Sequence, residues 1–333
     1  MARTLAVWLA LGAVAAAALM IALLTGSTRI APGDVIAALF QPDASTTAEV
    51  VQRLRLPRAL AAFATGGLLA LAGALMQVLL RNPLADPYVL GLSGGAAVGA
   101  LVVMLAGLGG AMIGAGAFGG ALTSMAIVFV LASRDLAGRQ ASGDADVSPR
   151  LLLTGVVLAA GWSALVTLLL TIAPERELRG ILFWLMGDFG GVVSYAPALV
   201  ALVAAVAVLM PWGRALNAMA RGSIVAQSLG VPVTAVRRLI FVVASLATAL
   251  AVTTAGTVGF IGLIVPHALR LAFGNDQRML LPACALAGGA LLVLADTLAR
   301  TVIAPQQLPV GAVTALLGVP AFIYLLLRAG QRR

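Results

Sequence analysis

Residues 59–100 read ALAAFATGGLLALAGALMQVLLRNPLADPYVLGLSGGAAVGA, and this stretch decides the fold. Its first part, residues 59–80, carries no Asp, Glu, Arg or Lys and matches the length of about 20 apolar residues that one helix needs to cross a bilayer. Proline lacks an amide hydrogen and restricts the residue before it, so Pro83 and Pro87 end this helix. The stretch therefore predicts two membrane helices joined by a turn.

The whole chain has the composition of an integral membrane protein. Of its 333 residues, 62% are hydrophobic and 10% are charged, too few for the polar surface of a water-soluble globule. Charge-free runs predict an all-α protein with about ten transmembrane helices, of which 258–272 is short enough to be partial. The predicted helices lie near 5–24, 59–80, 91–107, 112–132, 151–172, 192–210, 236–254, 258–272, 279–298 and 310–327.

Glycines and prolines divide the longest charge-free runs. In residues 239–269, the sequence TTAGTVG and Pro266 are predicted to break one long helix into two. Glycines spaced four apart, at Gly91, Gly95 and Gly99 and at Gly110 and Gly114, predict close helix packing, because missing side chains let backbones approach in lipid.

Arginine distribution predicts the orientation of the helices. The chain has no lysine, so all 21 basic residues are arginine. With the N-terminus in the cytoplasm, ten crossings place fourteen arginines inside and seven outside, which matches the positive charge expected of cytoplasmic loops. We therefore expect both termini in the cytoplasm. The net charge of +9 reflects this topology and contact with the lipid bilayer, and no nucleic-acid partner is needed to explain it.

Few residues in this chain can perform chemistry. His267 is the one histidine and Cys284 the one cysteine, so a metal site of several histidines is excluded. A phosphate-binding P-loop needs a lysine, which this chain lacks. We therefore expect no enzyme activity, no metal and no cofactor in this chain. If transport is driven by ATP, a separate ATPase subunit must bind the ATP and Mg²⁺. His267, directly after Pro266, is interpreted either as a hydrogen-bonded residue at a helix break or as part of a pathway.

A carrier coupled to protons or sodium ions would be expected to hold carboxylates near the bilayer midplane. The charge-free runs hold none, and Asp188 and Asp296, the acidic residues nearest to helix interiors, fall near predicted outer ends. The sequence therefore favours transport driven by a partner subunit.

The cytoplasmic loop 211–238 is the most structured soluble part of the sequence. A short helix, SIVAQSL, lies between Gly222 and Gly230, with Ser223 available as its N-cap. Lipid and core cannot cover every apolar side chain of so short a helix, so it fits either a groove on a partner protein or the membrane interface. The side chains concerned are Ile224, Val225 and Leu229.

Several motifs, in order, resemble the FecCD type of ABC importer permease, which serves iron chelates, haem and cobalamin. The stretch from LRLPR to NPLADP is similar to the family's second helix and the turn after it. Later matching segments are SPRLLLTGVVL, ARGSIVAQSLGVP, GTVGFIGLIVPHALR, LLPACALAGGALLVLADTLAR and LPVGAVTALLGVPAFIYLLL. The resemblance covers nearly the whole chain and implies a type II ABC importer permease fold, with residues 1–333 forming one transmembrane domain.

The resemblance also implies partners. These are a second permease subunit in a homodimer, two ABC ATPase subunits on the cytoplasmic side, and a periplasmic substrate-binding protein on the other side. Loop 211–238 resembles the coupling helices that contact the ATPase. The residues with this implied role are Arg221, Gly222, Ser223, Ile224, Val225, Leu229 and Gly230.

Two further roles follow from the resemblance. Arginines that pair with glutamates of the binding protein correspond to Arg55, Arg58 and Arg300, which we expect to be exposed; anchoring to lipid headgroups is the alternative. A cytoplasmic gate is implied for Asn82 and Leu84 in the turn, and a second gate segment for Val147 and Ser148.

The sequence therefore predicts the pathway subunit of an ATP-driven importer in a bacterial inner membrane. The first expected cargo is haem or a ferric siderophore, and the second is cobalamin. Such a chelate would pass intact, since one histidine and one buried cysteine cannot remove its metal. The alternative is a self-contained secondary transporter or exporter without an ATPase partner.

Overall fold

The computed structural model describes residues 2–26, 30–40, 45–133, 149–192 and 194–330, and within them it contains helices and no strand. The helices are α1 (Ala2–Leu24), α2 (Pro32–Phe40), α3 (Thr46–Glu49), α4 (Leu56–Leu79), α5 (Leu92–Leu105), α6 (Gly110–Leu131), α7 (Pro149–Ile172), α8 (Glu175–Leu185), α9 (Ala196–Leu209), α10 (Gly213–Met219), α11 (Ser223–Ser228), α12 (Val233–Ala255), α13 (Ile261–Phe273), α14 (Gln277–Thr301) and α15 (Val310–Gly330).

These helices confirm the predicted membrane architecture. Among the described residues, seven spans are long and apolar enough to cross a membrane, and they include α1, α4, α6, α7, α9, α12 and α14. Three shorter apolar helices, α5, α13 and α15, complete the ten predicted segments. The predicted partial helix is α13, which has 13 residues.

Helix α4 begins earlier than its charge-free run suggests. A π-helical turn, Val50–Arg55, joins α3 to α4, and α2 precedes them. Helix α2 has nine residues, α3 has four and the π-helical turn has six, so a search for spans of about 20 residues misses them.

The prediction that Pro266 breaks a helix was wrong. The break predicted at TTAGTVG, residues 253–259, is confirmed, because the chain reverses between α12 and α13, where Gly256 has a φ of 68° and Phe260 a φ of 70°. Pro266 lies inside α13, and its missing amide hydrogen leaves the carbonyl of Gly262 without its usual helical donor. That carbonyl lies against Gly73 of α4, so the proline is accommodated at a close helix contact.

Helix α4 is the centre of the core. Nearly all of its residues from Ala59 to Leu79 are buried, against α12, α13 and α14. Its glycines permit this packing, because a Cβ atom at Gly66 would overlap the carbonyl oxygen of Gly288 on α14. A chain segment that is apolar on every side is thus enclosed by protein rather than lipid.

The predicted glycine contacts are found in part between α5 and α6. A Cβ atom at Gly99 would overlap the carbonyl oxygen of Gly116, and one at Gly120 that of Gly95. By contrast, the nearest neighbour of a Cβ at Gly114 is a methyl group of Thr253 at 3.6 Å. Close packing therefore involves Gly116 and Gly120, which are also four residues apart but were not among the glycines predicted to make the contact.

The membrane body has two functional ends. The arginine end, where Arg55, Arg58 and Arg300 meet, includes the last turn of α1 and the first residues of α15. The turn end holds the turn segment, residues 81–91, together with α10 and α11. Trp8 donates a hydrogen bond to Met279 at this end, so α1 starts on the same side as α11.

Candidate functional site

Helix α11 presents an apolar surface at the turn end. Its three exposed apolar side chains are Ile224, Val225 and Leu229, at 59%, 40% and 65% exposure. Ala226 is buried beneath them. Gly222 before the helix has a φ of 122° and Gly230 after it a φ of 75°, which glycine adopts without steric penalty. The predicted exposed helix bounded by glycines is therefore present.

One detail of this helix was predicted wrongly. Gly222 occupies the N-cap position, and Ser223 is the first helical residue, so the expected cap from Ser223 is not formed. The chain must reverse sharply after α10, and the φ of 122° at Gly222 suits glycine and not serine. Arg221 lies exposed in the same reversal.

The turn segment is held by two side-chain caps. Asn82 Oδ1 accepts a hydrogen bond from the Leu84 amide at 2.9 Å, and Asp86 Oδ1 accepts one from the Tyr88 amide at 2.8 Å. Leu84 is exposed between them. The Tyr88 hydroxyl donates to the Val258 carbonyl and accepts from the Val258 amide, both at 3.1 Å. The segment is thus rigid and fixed to the break between α12 and α13. Val147 and Ser148, the other predicted gate residues, lie outside the described residues.

Asp86 makes the turn segment sensitive to pH. Burial raises the pKa of Asp86 to about 6, against the opposing effect of the hydrogen bond from the Tyr88 amide. A carboxyl with a higher pKa in the folded than in the unfolded chain favours folding when protonated, so stability should fall as pH rises from about 4 to about 6. We expect the melting temperature in detergent to show this fall, and Asp86→Asn to flatten it. A melting temperature of the unmodified protein that rises over this range would contradict the assignment.

Among the three candidate docking arginines, Arg55 is buried and Arg58 and Arg300 are largely covered, so the prediction that they are exposed was wrong. Arg55 is 6% exposed, and the side chains of Arg58 and Arg300 are 15% and 10% exposed. The reason is Asp296 of α14, whose side chain is 4% exposed and, as a buried carboxylate, requires cationic partners.

Arg58 is the centre of this arginine cluster. Its Nε donates to Asp296 Oδ2 at 2.9 Å and its Nη2 to Asp296 Oδ1 at 2.8 Å, a two-pronged pair that fixes the guanidinium plane. Its Nη1 donates to Gln307 Oε1 at 2.9 Å, and Asp188 Oδ1 lies 3.9 Å from its Nη2. Arg300 Nε lies 4.0 Å from Asp296 Oδ2.

The other two arginines bind the end of α1. Arg55 Nη1 donates to the carbonyl of Leu23 at 2.7 Å, and Arg300 Nη2 donates to the carbonyl of Ala22. Carbonyls in the last turn of a helix lack intrahelical donors and carry partial negative charge, so they attract cations. The arginine cluster therefore joins α1, α4 and α14 at one point.

A cavity of about 1140 Å³ adjoins the arginine cluster. Asp188 and Gln307, which contact Arg58, also line the cavity. Helix α8 supplies much of its opposite wall, including the side chains of Phe183 and Trp184 and two arginines. One of these, Arg179, lies 5.8 Å from the ring centre of Phe183. The cavity thus combines aromatic surface with two arginines and two carboxylates, Glu177 and Asp188.

His267 is neither at a helix break nor hydrogen-bonded among the described residues. It lies inside α13, 7% exposed, and neither ring nitrogen has a hydrogen-bond partner there. Its ring packs edge-on against Phe322 of α15, with 6.4 Å between ring centres. The first interpretation is therefore wrong, whereas a pathway role stays a prediction. In the described part of the chain, no group of three or more His, Cys, Asp or Glu could hold a metal ion.

The family model described as the FecCD transport family matches residues 14–328. The chain belongs to the FecCD transport family. Its fold is accordingly that of a FecCD-type ABC importer permease, which is a membrane-spanning subunit and not the ATPase. The resemblance read from the motifs is confirmed.

Curated relatives and a solved structure agree with this family assignment. The vitamin B12 import system permease protein BtuC of Escherichia coli O139:H28 (strain E24377A / ETEC) is 40% identical over 318 residues, covering 94% of this chain and 92% of that protein. The protein of the same name from Salmonella schwarzengrund (strain CVM19633) is also 40% identical, over 321 residues. A solved inward-facing conformation of a metal-chelate type ABC transporter matches with a TM-score of 0.83 and 28% identity, covering 96% of this chain and 98% of that one.

The FecCD motifs indicated the right segments but not every important contact. Asp188 and Asp296 stood out in the sequence as the acidic residues closest to helix interiors, yet no spacing showed that Asp296 pairs with Arg58, 238 positions away. No motif or spacing in the sequence pointed to Gln307 as a partner of Arg58. Such long-range pairs depend on how α4 packs on α14.

Proposed function

We propose that this permease forms the translocation pathway of an ATP-driven importer that carries an intact metal chelate across a bacterial inner membrane. The observation that carries the proposal is the exposed apolar surface of α11, at one end of a body otherwise built for lipid. Exposed apolar patches on a cytoplasmic loop mark contacts with a partner protein. The partner proposed is an ABC ATPase, since this chain has no lysine with which to form a P-loop.

We propose cobalamin as the first cargo to test. The sequence motifs placed haem and ferric siderophores ahead of cobalamin because these are cargoes of the family as a whole. The 40%-identical relatives that cover most of the chain are vitamin B12 permeases, and this favours cobalamin for the present chain. Haem and ferric siderophores remain the comparison substrates.

The arginine end is proposed to receive a periplasmic binding protein. Cargo released there would meet the adjoining cavity, whose volume and aromatic lining suit a bulky chelate. Because Arg58 already binds Asp296 through two donors, a docking carboxylate has to compete for it or use Arg55 and Arg300. Docking at this end is therefore expected to be weak for each pair and to depend on salt.

Neutral substitutions test this docking role. Glutamate at these positions would face the buried Asp296, so we choose Arg55→Gln with Arg300→Gln. An exposed pair contributes about 0.2–1 kcal/mol, so the uptake supported by the binding protein should fall up to about fivefold per arginine. Arg53→Gln is the comparison, since its side chain is 77% exposed and pairs with Glu49. A larger loss in Arg53→Gln than in the double variant would contradict the assignment.

A second copy of the chain is proposed to cover α7. Most of α7 is exposed, because only 6% of an 18-residue apolar stretch of this helix is buried in the described chain. One exposed face carries hydroxyls at Ser163, Thr167 and Thr171, spaced four residues apart, and the threonines donate to the carbonyls of Ser163 and Thr167. A face of hydroxyls suits a hydrated path at a twofold axis better than lipid, which supports a homodimer.

The proposed orientation puts the turn end in the cytoplasm. Helix α1 starts at that end, and α15 runs from its contact with Gly187 near the arginine end, past His267, toward the same side as α11. An ATPase can reach α11 only from the cytoplasm, so both termini would be cytoplasmic, as the arginine counts predict.

Purification from native membranes tests the proposal. The tagged chain should retain an ATPase in stoichiometric amount, identified by mass spectrometry, and a binding protein should join the complex when added. Visible absorption of bound pigment, as a corrin or a haem spectrum, identifies the cargo. Isolation of a homo-oligomer without any ATPase, from membranes that still take up cobalamin through it, would refute the proposal.

A further inference from the structure

At the turn end, the guanidinium of Arg81 lies over Gly222. A Cβ atom built at Gly222 would lie 3.5 Å from Nη1 and 3.6 Å from Cζ of Arg81. Gly222 is buried, whereas Arg81 is exposed. Arg81 begins the turn segment and Gly222 immediately precedes α11, so the guanidinium occupies the space in front of Gly222 and places the proposed gate beside the proposed ATPase-docking helix.

The backbone of Arg81 has a conformation that favours glycine. Its φ is 48°, and Phe260 is the one other non-glycine residue with positive φ among the described residues. A non-glycine residue held in this region carries backbone strain. Because glycine or asparagine would fit with less strain, an arginine at this position points to a role for its side chain.

The helices on either side of Gly222 are anchored to different degrees. Asn217 fixes α10 to the start of α14 by donating to Asp276 Oδ1 at 2.8 Å. Helix α11, in contrast, has one buried side chain, Ala226. The amide of Gly222 donates to Met219 of α10, and its carbonyl accepts from Ala226 of α11. A push on α11 would therefore displace Gly222 against a fixed α10.

The turn segment can carry such a displacement into the membrane body. Its caps at Asn82 and Asp86 keep it rigid over a few residues. At its far side, the Tyr88 hydroxyl is bonded to both backbone groups of Val258. Movement at Arg81 is thus passed along a braced segment to the break between α12 and α13, with the gate residue Leu84 exposed between the two.

We propose that Arg81 transmits the displacement of α11 to the turn segment and so couples ATP hydrolysis to gate opening. The inference rests on the proposed function, in which an ATPase moves α11 and the turn segment holds the gate residues Asn82 and Leu84. Arg81 is a positioning residue in this scheme. Its planar, permanently charged guanidinium presents a broad and rigid surface to Gly222, which the flexible chain of lysine would not reproduce.

The test is the ratio of cargo transported to ATP hydrolysed. Arg81→Gly removes the guanidinium and relieves the backbone, so the variant should fold and assemble. In the complex with its copurified ATPase, using vitamin B12 as the probe, hydrolysis should stay near that of the unmodified complex. Uptake per ATP should fall at least about fivefold, the lower limit of typical coupling between sites. Arg81→Lys should give a ratio between the two.

A second arginine provides the control. Arg3 is exposed near the start of α1, at the same end of the body and outside loop 211–238, and Arg3→Ala should keep the unmodified ratio. An Arg81→Gly complex with the unmodified ratio, or one that loses its ATPase, would overturn the inference while leaving the proposed function intact. If the unmodified complex itself shows no ATP-driven uptake, the proposed function fails and the inference fails with it.

Discussion

Replacing Ile224 and Leu229 together by glutamate is expected to abolish ATP-driven transport. Both side chains are more than half exposed on α11, where they would be buried against the ATPase. Burying one such side chain contributes about 1.5–3 kcal/mol, and two carboxylates would have to be desolvated in its place. The affinity for the ATPase should therefore fall by at least about 100-fold.

Copurification and uptake measure this effect together. The double variant should reach the membrane in normal amount, because neither side chain packs in the core, yet it should lack bound ATPase and show no uptake above background. Leu229→Met is the matched control, since it keeps an apolar side chain of similar volume and should retain both. Normal ATPase content in the double variant would show that α11 does not seat the partner.

Replacing Gly73 by valine is expected to prevent folding. A Cβ atom at this position overlaps the backbone carbonyl of Gly262, and the backbone of α13 cannot yield there without separating from α4. Since α4 is the centre of the core, loss of this contact should cost at least about 3 kcal/mol, as overpacking of a core does at its upper range.

Yield of monodisperse protein from the membrane and the melting temperature in detergent report the loss. Gly12→Ala in α1 is the control, because a Cβ atom there meets no heavy atom within 4 Å and alanine favours a helix by about 1 kcal/mol. That variant should be as stable as the unmodified chain or slightly more stable. A Gly73→Val protein with normal yield and melting temperature would mean that α4 and α13 pack differently.

The membrane helices could be predicted from the sequence because each contains a charge-free apolar run, although α5 and α13, with 14 and 13 residues, are shorter than the bilayer requires. The same reasoning located the turn, whose prolines and caps act within a few residues of Asn82 and Asp86. Helix α2 and the start of α4 were missed because they are short and lie outside that length criterion.

The contacts of the arginine end could not be predicted from the sequence. Arg55, Arg58 and Arg300 flank apolar spans, which normally places charged side chains in water, so exposure was the natural expectation. The buried Asp296 reverses this, and its pairing with Arg58 depends on the packing of two helices far apart in sequence. Pro266 was predicted to be a helix break for a similar reason. The close contact between Gly73 and Gly262 that accommodates this proline joins two segments far apart in sequence.

The buried carboxylate also bears on the rival function. A secondary transporter would be expected to hold ionisable carboxylates along its path near the midplane. Asp296, in contrast, is tied at one end of the body by hydrogen bonds from two nitrogens of Arg58. This arrangement supports a structural role in the arginine cluster and favours ATP as the energy source.

Uptake into reconstituted vesicles tests the central claim most directly. The permease would be incorporated with its copurified ATPase and binding protein, and accumulation of vitamin B12 measured with ATP on the ATPase side or with a proton gradient alone. We expect accumulation that requires ATP and is insensitive to the gradient, and none from vesicles containing the permease by itself. Accumulation by the permease alone, driven by the gradient, would contradict the account and identify the chain as a secondary carrier.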